Sequence, residues 1–420
     1  VILLLNILFF LFIGYAGYRG SRSSSLLPFY FPALILKVMA GLILGYIYMH
    51  YYNMGDTWVF FENARRLGES AFGNHHFVEV FIENDYSLVP KFDYGIEPRS
   101  ALFCKLVAII NLLTVENYWL TSIYFSLFSF FGAWCLTNHL HRLYKNGFPL
   151  LIAFLLFPSV VFWTSGVLKE SLLFGSLGFF LGVYVTLYYG GKVRIWEYLL
   201  AGLSLILLFL LKYYYASVVL SISLAVFITQ NLGARFKSWK IDVLIWLLGI
   251  SMMLFVTSLI HPNLSKARFF DVVVENNRAY QLITKPENLI TYYHLEPTWA
   301  SFLLNAPKAF FSGIYSPLSR GSGDLMKGIV IVENWILLVI SLIALFTFKI
   351  SFNRKQRILL GAAFTYIAVM AIFLALSTPS TGTLVRYKVG FQPLVIYIAL
   401  EGCMVWLKAK NFSFQWLTRK

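Results

Sequence analysis

The chain has 420 residues, 59% of them hydrophobic and 13% charged, with a mean hydropathy of +0.71. A soluble protein of this size needs a far more charged surface, so the composition excludes a water-soluble globular enzyme and makes a bilayer the main solvent. The formal net charge of +15 would suit nucleic acid, and its placement along the chain decides whether it does.

Apolar runs occur at 1–17, 28–51, 117–138, 148–165, 171–189, 197–211, 214–231, 241–260, 328–348, 358–377 and 389–407. A span needs roughly 20 apolar residues, so the runs predict an all-α polytopic membrane protein of about eleven transmembrane helices. Residues 1–420 read as a single transmembrane domain. The first run lacks a basic leader and a small-residue cleavage site, so a span is expected there rather than a signal peptide. The chain does not open on Met, and a few residues are expected before Val1. Cys104, Cys135 and Cys403 all fall in apolar segments, without metal-ligand spacing, and read as small hydrophobes.

Lysines and arginines orient the chain. One set of connections holds Arg19 and Arg22, Arg142 and Lys145, Lys192 and Arg194, then Arg235, Lys237 and Lys240. It continues with Lys349, Arg354, Lys355 and Arg357, and ends in a tail bearing Lys408, Lys410, Arg419 and Lys420. The connection 52–100 instead carries Asp56, Glu62, Glu69, Glu79, Glu83, Asp85, Asp93 and Glu97 against four basic residues. The alternation puts the N-terminus outside and the C-terminus inside. Most of the positive charge is therefore topological, and nucleic acid is not an expected partner. Two exported segments are long, 52–100 and 261–327. Within or beside them, 101–113 and 299–315 are apolar but too short to cross alone, and predict re-entrant or interfacial helices.

The candidate chemistry sits on the exported side. Asp56 opens DTWVFFENARRL, in which Phe60, Ala64, Leu67 and Ala71 recur at helical spacing. This predicts a juxtamembrane helix lying along the membrane surface, with Arg65 off its apolar stripe. Asp56 is placed either to cap that helix or to take a proton from a hydroxyl acceptor. In FPSVVFWTSGVLKES, Pro158 bends a span, Ser165-Gly166 marks an exported turn, and Lys169 and Glu170 begin the next span. Ionisable groups at membrane depth face a cavity or a partner; a Lys169–Glu170 pair anchoring the turn is the plainer alternative. Lys212 and Tyr213 interrupt two apolar runs, as an interface belt with a snorkelling lysine would. Arg386 and Lys388 close a late exported loop against the positive-inside trend, which points to an anion such as phosphate. His75, His76 and Glu79 form a cluster that lacks a standard zinc spacing, and a bland exposed loop is the simpler reading. One carboxylate and several cations suit group transfer from an anionic, lipid-linked donor to a hydroxyl.

The unit GDTWVFFENARRL resembles the first exported loop of GT-C membrane glycosyltransferases, among them protein mannosyltransferases and lipid A aminoarabinose transferases. The segments 101–113, LNAPKAFFSGIYSPL and RYKVGFQP resemble exported features of such enzymes, and FWTSGVLKES resembles bacterial members. The resemblance implies inverting transfer from a polyprenyl-phosphate sugar to a glycan, lipid or protein acceptor, at the outer face of a bacterial inner membrane. It implies Asp56 in acceptor activation and Arg386, Lys388, Lys169 and Lys212 at the donor phosphate, supported by Glu170, Tyr213 and Arg65. In that family a second acid often follows the Asp. Here position 57 is Thr, which leaves a divalent metal cofactor open. Three alternatives stand beside this one. A polymerase or ligase would rely on Arg386, Arg278 and Arg320. A transporter would carry polar residues near the bilayer midplane, and a non-catalytic envelope subunit would need neither.

Overall fold

The computed structural model describes residues 1–52, 55–233, 236, 238–260, 262–265, 268–319, 325–347 and 352–409. Among these residues there are helices and no strands, apart from one isolated bridge between Leu289 and Ser380. Seven helices are long and apolar enough to cross a membrane, or eight if a pair bent by 74° is one span. The chain is thus a polytopic α-helical membrane protein. It divides into two compact units, Val1–Tyr213 and Tyr214–Lys420.

In the first unit α1 (Ile2–Gly20), α2 (Tyr30–His50), α5 (Tyr118–Tyr144) and α8 (Lys169–Tyr188) meet the expected runs. The segment 52–100 is folded and does not behave as a linker. It forms α3 (Asp56–Gly68), two short π-helical stretches, and α4 (Pro98–Thr114). Phe60, Ala64, Leu67 and Ala71 are all buried, as their spacing requires. Their cover is protein: they share a core cluster with Phe103, Cys104, Val107 and Ala108 of α4. The loop between these helices is clasped onto α3. Asn63 donates to Asp93 Oδ2 at 2.8 Å, Arg66 to the Lys91 carbonyl at 2.7 Å, and Ser70 to the Leu88 carbonyl at 2.9 Å. Lys105 of α4 closes the rest, donating to the Phe81 carbonyl and Asn84 Oδ1 at 2.8 and 2.7 Å.

The run 148–165 is not one helix. It forms α6 (Gly147–Leu151), a π-helical stretch, and α7 (Pro158–Trp163), with Pro158 opening the last piece. The turn after it, expected on the exported side, is enclosed by protein: Thr164, Ser165, Val167 and Leu168 are all buried. Gly166 adopts φ +70° and donates its amide to Ser126 Oγ at 2.9 Å. Ser126 lies eight residues into α5, about 12 Å from its start at 1.5 Å per residue. The turn therefore enters the unit rather than capping it. Gly41 of α2 makes room: a Cβ there would lie 2.2 Å from Ser126 Oγ and 3.0 Å from the Gly166 amide. Gly41→Val should therefore displace this turn, costing several kcal/mol, of the order of a severely overpacked core. Thermal unfolding in detergent checks this, and an unchanged Tm would contradict the packing.

A lysine inside a predicted span explains why the turn can be buried. Lys37 of α2 donates to Thr164 Oγ1 and lies 3.5 Å from the Val161 carbonyl, with Phe174 beneath it at 5.2 Å. It places a cation at the C-terminal end of α7, where carbonyls lack helical partners.

A third departure concerns runs 197–211 and 214–231. They fall in one element, α9 (Ile195–Gly233), whose backbone is non-helical at Lys212, with φ −142° and ψ 63°. The break comes where the sequence predicted it.

The second unit contains α10 (Trp239–Ile260), α11 (Phe269–Ile283), α12 (Trp299–Tyr315), α13 (Leu325–Thr347), α14 (Arg354–Ser377), α15 (Thr381–Tyr387) and α16 (Gln392–Ala409). α12 packs on α14 and α13 on α16. The segment 261–327 is anchored like the first. Ile290 donates to the Pro379 carbonyl at 2.7 Å, and Asn277 to the Leu376 carbonyl at 2.6 Å. Arg354, expected as a topological charge, also ties helices together. It holds Asp242 at 2.7 and 2.9 Å and the Thr229 carbonyl at 2.9 Å.

Candidate active site

Asp56 is the first residue of α3, with Gly55 in the capping position. The amides of Trp58 and Val59 bond the Gly55 carbonyl, which places Gly55, and not Asp56, in the capping position. The capping expectation is corrected by one residue. A carboxylate in the first turn still gains from the helix dipole. Thr57 points the other way. It is fully buried, its hydroxyl 2.7 Å from that of Tyr118. An acid at 57 would sit in the core, whereas Asp56 is half-buried.

Phe60 is one turn along α3 and shares the Asp56 face of the helix. Its ring stacks on Tyr94 at 5.0 Å, and Lys169 Nζ lies 4.7 Å from its centroid. Lys169 donates to Ser100 Oγ at 2.7 Å, and Ser100 in turn to Glu97 Oε2 at 2.7 Å. Burial pushes the Tyr94 hydroxyl above its ordinary pKa, with the carboxylates of Asp56, Glu97 and Asp93 adding to the effect. The first unit thus collects Asp56, Tyr94, Glu97, Ser100 and Lys169 around one end of α3 and the start of α4.

Glu170 does not pair with its neighbour in sequence. Its carboxylate accepts from Lys212 Nζ at 3.2 Å, and the two residues are 3% and 6% exposed. The Lys169–Glu170 anchor and the snorkelling Lys212 are both replaced by a buried ion pair joining the first turn of α8 to the break in α9. Such a pair must stay together, because either charge alone would be stranded. Tyr213, next in chain, receives Arg99 of α4 at 5.3 Å over its ring.

Other expected residues do not join this group. Arg65 pairs with Glu62 at 3.2 Å, nine residues from Asp56 and about 14 Å farther along the helix. His75, at φ 62°, and His76 lie between the two π-helical stretches, the second of which holds Glu79. Among the described residues no three His, Cys, Asp or Glu side chains are arranged to hold a metal ion, so these residues do not fit one.

In the second unit, Arg386 lies 5.3 Å over the Tyr387 ring. The Tyr387 hydroxyl is 3.4 Å from that of Tyr280, and its carbonyl accepts from Tyr215 at 2.6 Å. Lys388 is wholly buried, and its ammonium donates to the Ile314 and Ser316 carbonyls and Asn334 Oδ1 at 3.0, 3.1 and 2.9 Å. An ammonium has three N–H groups, and all three are used inside the protein. The geometry makes Lys388 a tie between α12, α13 and the late loop; the expectation that it holds a donor phosphate is corrected accordingly. Arg278 is exposed on α11, beside the buried Asn277. Arg320 lies outside the described residues.

The sequence reading missed Arg99, Ser100, Tyr94 and Lys37 as site or packing residues. Arg99 and Lys37 left a signal: a cation beside a short apolar helix, and a lone charge within an apolar run. Comparison with models of protein families, with curated proteins and with solved structures gives no match.

Proposed function

We propose that the chain is an inverting membrane glycosyltransferase, with a GT-C-like arrangement of about eleven spans. In this reading it acts at the extracytoplasmic face and takes its sugar from a polyprenyl-phosphate donor. The observation that carries the reading is a half-buried carboxylate, Asp56, one helical turn from Phe60, whose ring stacks on Tyr94 and has Lys169 Nζ 4.7 Å from its centroid. A half-buried carboxylate in the first turn of a helix is suited to act as a base.

Asp56 takes the proton of an acceptor hydroxyl as that oxygen attacks the anomeric carbon from the face opposite the phosphate. The new C–O bond forms while the bond to the phosphate oxygen breaks, and its electron pair leaves with the polyprenyl phosphate. Cations stabilise the charge that grows on that phosphate. Within the first unit Lys169 remains suited to this, while Lys212 is held by Glu170. No step requires a metal. The test is transfer of label from a radiolabelled polyprenyl-phosphate sugar by purified protein, with a detergent extract of bacterial membranes supplying acceptors. Wild type transfers, Asp56→Asn does not, and equal transfer by both would overturn the assignment.

A further inference from the structure

The structure assigns a second cation to the donor site: we infer that Arg99 and Lys169, converging on the first turn of α4, form the pocket for a lipid-linked phosphate monoester. The inference rests on the glycosyltransferase reading and specifies which residues of the first unit hold the donor.

The segment 52–100 is acidic, and Arg99 is a cation near its end, at the helix turn that Lys169 reaches from α8. Arg99 and Ser100 are consecutive residues of α4, just after Pro98 at its first position. Lys169 reaches this turn from α8 and donates to Ser100 Oγ at 2.7 Å, while Arg99 extends over the Tyr213 ring at 5.3 Å. Tyr213 is itself 7% exposed, which makes it a fixed platform. Its neighbour Lys212 is locked to Glu170 at 3.2 Å, so the platform is anchored to α8, the helix that carries Lys169. An arginine lying over an aromatic ring keeps its fork of N–H donors for a bidentate oxyanion. The α4 amides at the same turn add the positive end of a 17-residue helix.

Ser100 Oγ donates to Glu97 Oε2 at 2.7 Å. That bond fixes Glu97 beside Ser100, and Arg99 is directed to Tyr213 instead. A lysine reaching in and an arginine stacked on a ring are the parts a phosphate needs: a point charge and a fork. Asp56 is one helical turn from Phe60, over whose ring Lys169 Nζ lies at 4.7 Å.

The experiment measures binding of undecaprenyl phosphate to the purified full chain in detergent micelles, by quenching of tryptophan fluorescence. Neutral undecaprenol and inorganic phosphate serve as separate arms. Arg99→Ala is expected to weaken undecaprenyl phosphate binding about tenfold, the loss of one charge-assisted bidentate contact. Lys169→Ala should do likewise, Arg99→Lys should recover part of the loss, and Lys91→Ala should change nothing. In the transfer assay, Arg99→Ala should raise KM for the donor more than it lowers kcat. Arg99 is exposed, so its variants should elute from size exclusion as wild type does. If wild type binds undecaprenyl phosphate and Arg99→Ala binds it equally, the assignment of Arg99 is overturned while the functional reading stands. If wild type binds undecaprenyl phosphate no better than undecaprenol, the functional reading falls too. Inorganic phosphate that displaces the lipid at equal concentration would overturn the lipid-phosphate assignment in favour of a general anion site.

Discussion

Asp56→Asn is expected to lower sugar transfer by about 10²–10⁴-fold, the usual contribution of a positioned general base. The substitution keeps the size and shape of the side chain and removes its ability to accept a proton. Folding should be preserved, because Gly55 and not Asp56 occupies the cap of α3 and the apolar stripe is unaffected. The loss of a charge from the first helical turn should cost about 0.3–1 kcal/mol. Donor binding should change little, since the base acts on the acceptor. The expected signature is therefore a fall in kcat with KM for the donor unchanged. Asp56→Glu should recover a fraction of the rate, and Arg65→Ala should leave it near wild type because Arg65 pairs locally with Glu62. A kcat of Asp56→Asn within a factor of two of wild type would remove Asp56 from the mechanism.

Glu170→Gln is expected to destabilise the first unit by about 3–5 kcal/mol, since it leaves the Lys212 ammonium buried without its carboxylate. Lys212→Met should do the same from the other side. The double variant Glu170→Leu/Lys212→Met should recover much of the stability, because removing both charges removes the cost of burying either. Thermal unfolding in detergent distinguishes these outcomes. Equal Tm values for wild type and both single variants would show that the pair contributes nothing to the fold. The platform under Arg99 is the residue after Lys212, so the single variants should also weaken donor binding. The double variant tests whether that loss follows stability or charge.

Much of the scaffold was legible because it follows from periodicity and hydropathy alone. The stripe of Phe60, Ala64, Leu67 and Ala71 gave α3 its buried face, and the polar break at Lys212 fell where α9 loses helical geometry. What covers a face cannot be read the same way. The α3 stripe suits a membrane surface or a protein neighbour equally well, and α4 decided it. The burial of the turn at 164–168 was not legible for a related reason. Ser-Gly normally marks a solvated turn, and only contact with Gly41, Ser126 and Lys37 makes this one an interior feature.

The candidate site was legible by residue type and not by partner. A cation held against the positive-inside trend can bind a ligand or satisfy carbonyls, and sequence does not separate the two. Lys388 satisfies the Ile314 and Ser316 carbonyls, residues more than seventy positions away. Glu170 is adjacent to Lys169 yet bonds Lys212, because neighbouring residues at a helix start point in different directions. Arg99 left only a weak signal, as one of four basic residues in 52–100, and its partner Tyr213 lies more than a hundred positions away.

The most direct measurement of the central claim is a comparison of donors with the purified wild-type protein reconstituted in lipid. The same radiolabelled sugar is offered as a polyprenyl monophosphate, as a polyprenyl pyrophosphate and as a nucleotide sugar. The account predicts that label reaches acceptor from the monophosphate alone, with inversion at the anomeric carbon. Transfer from the nucleotide sugar, or from the pyrophosphate in preference to the monophosphate, would contradict it.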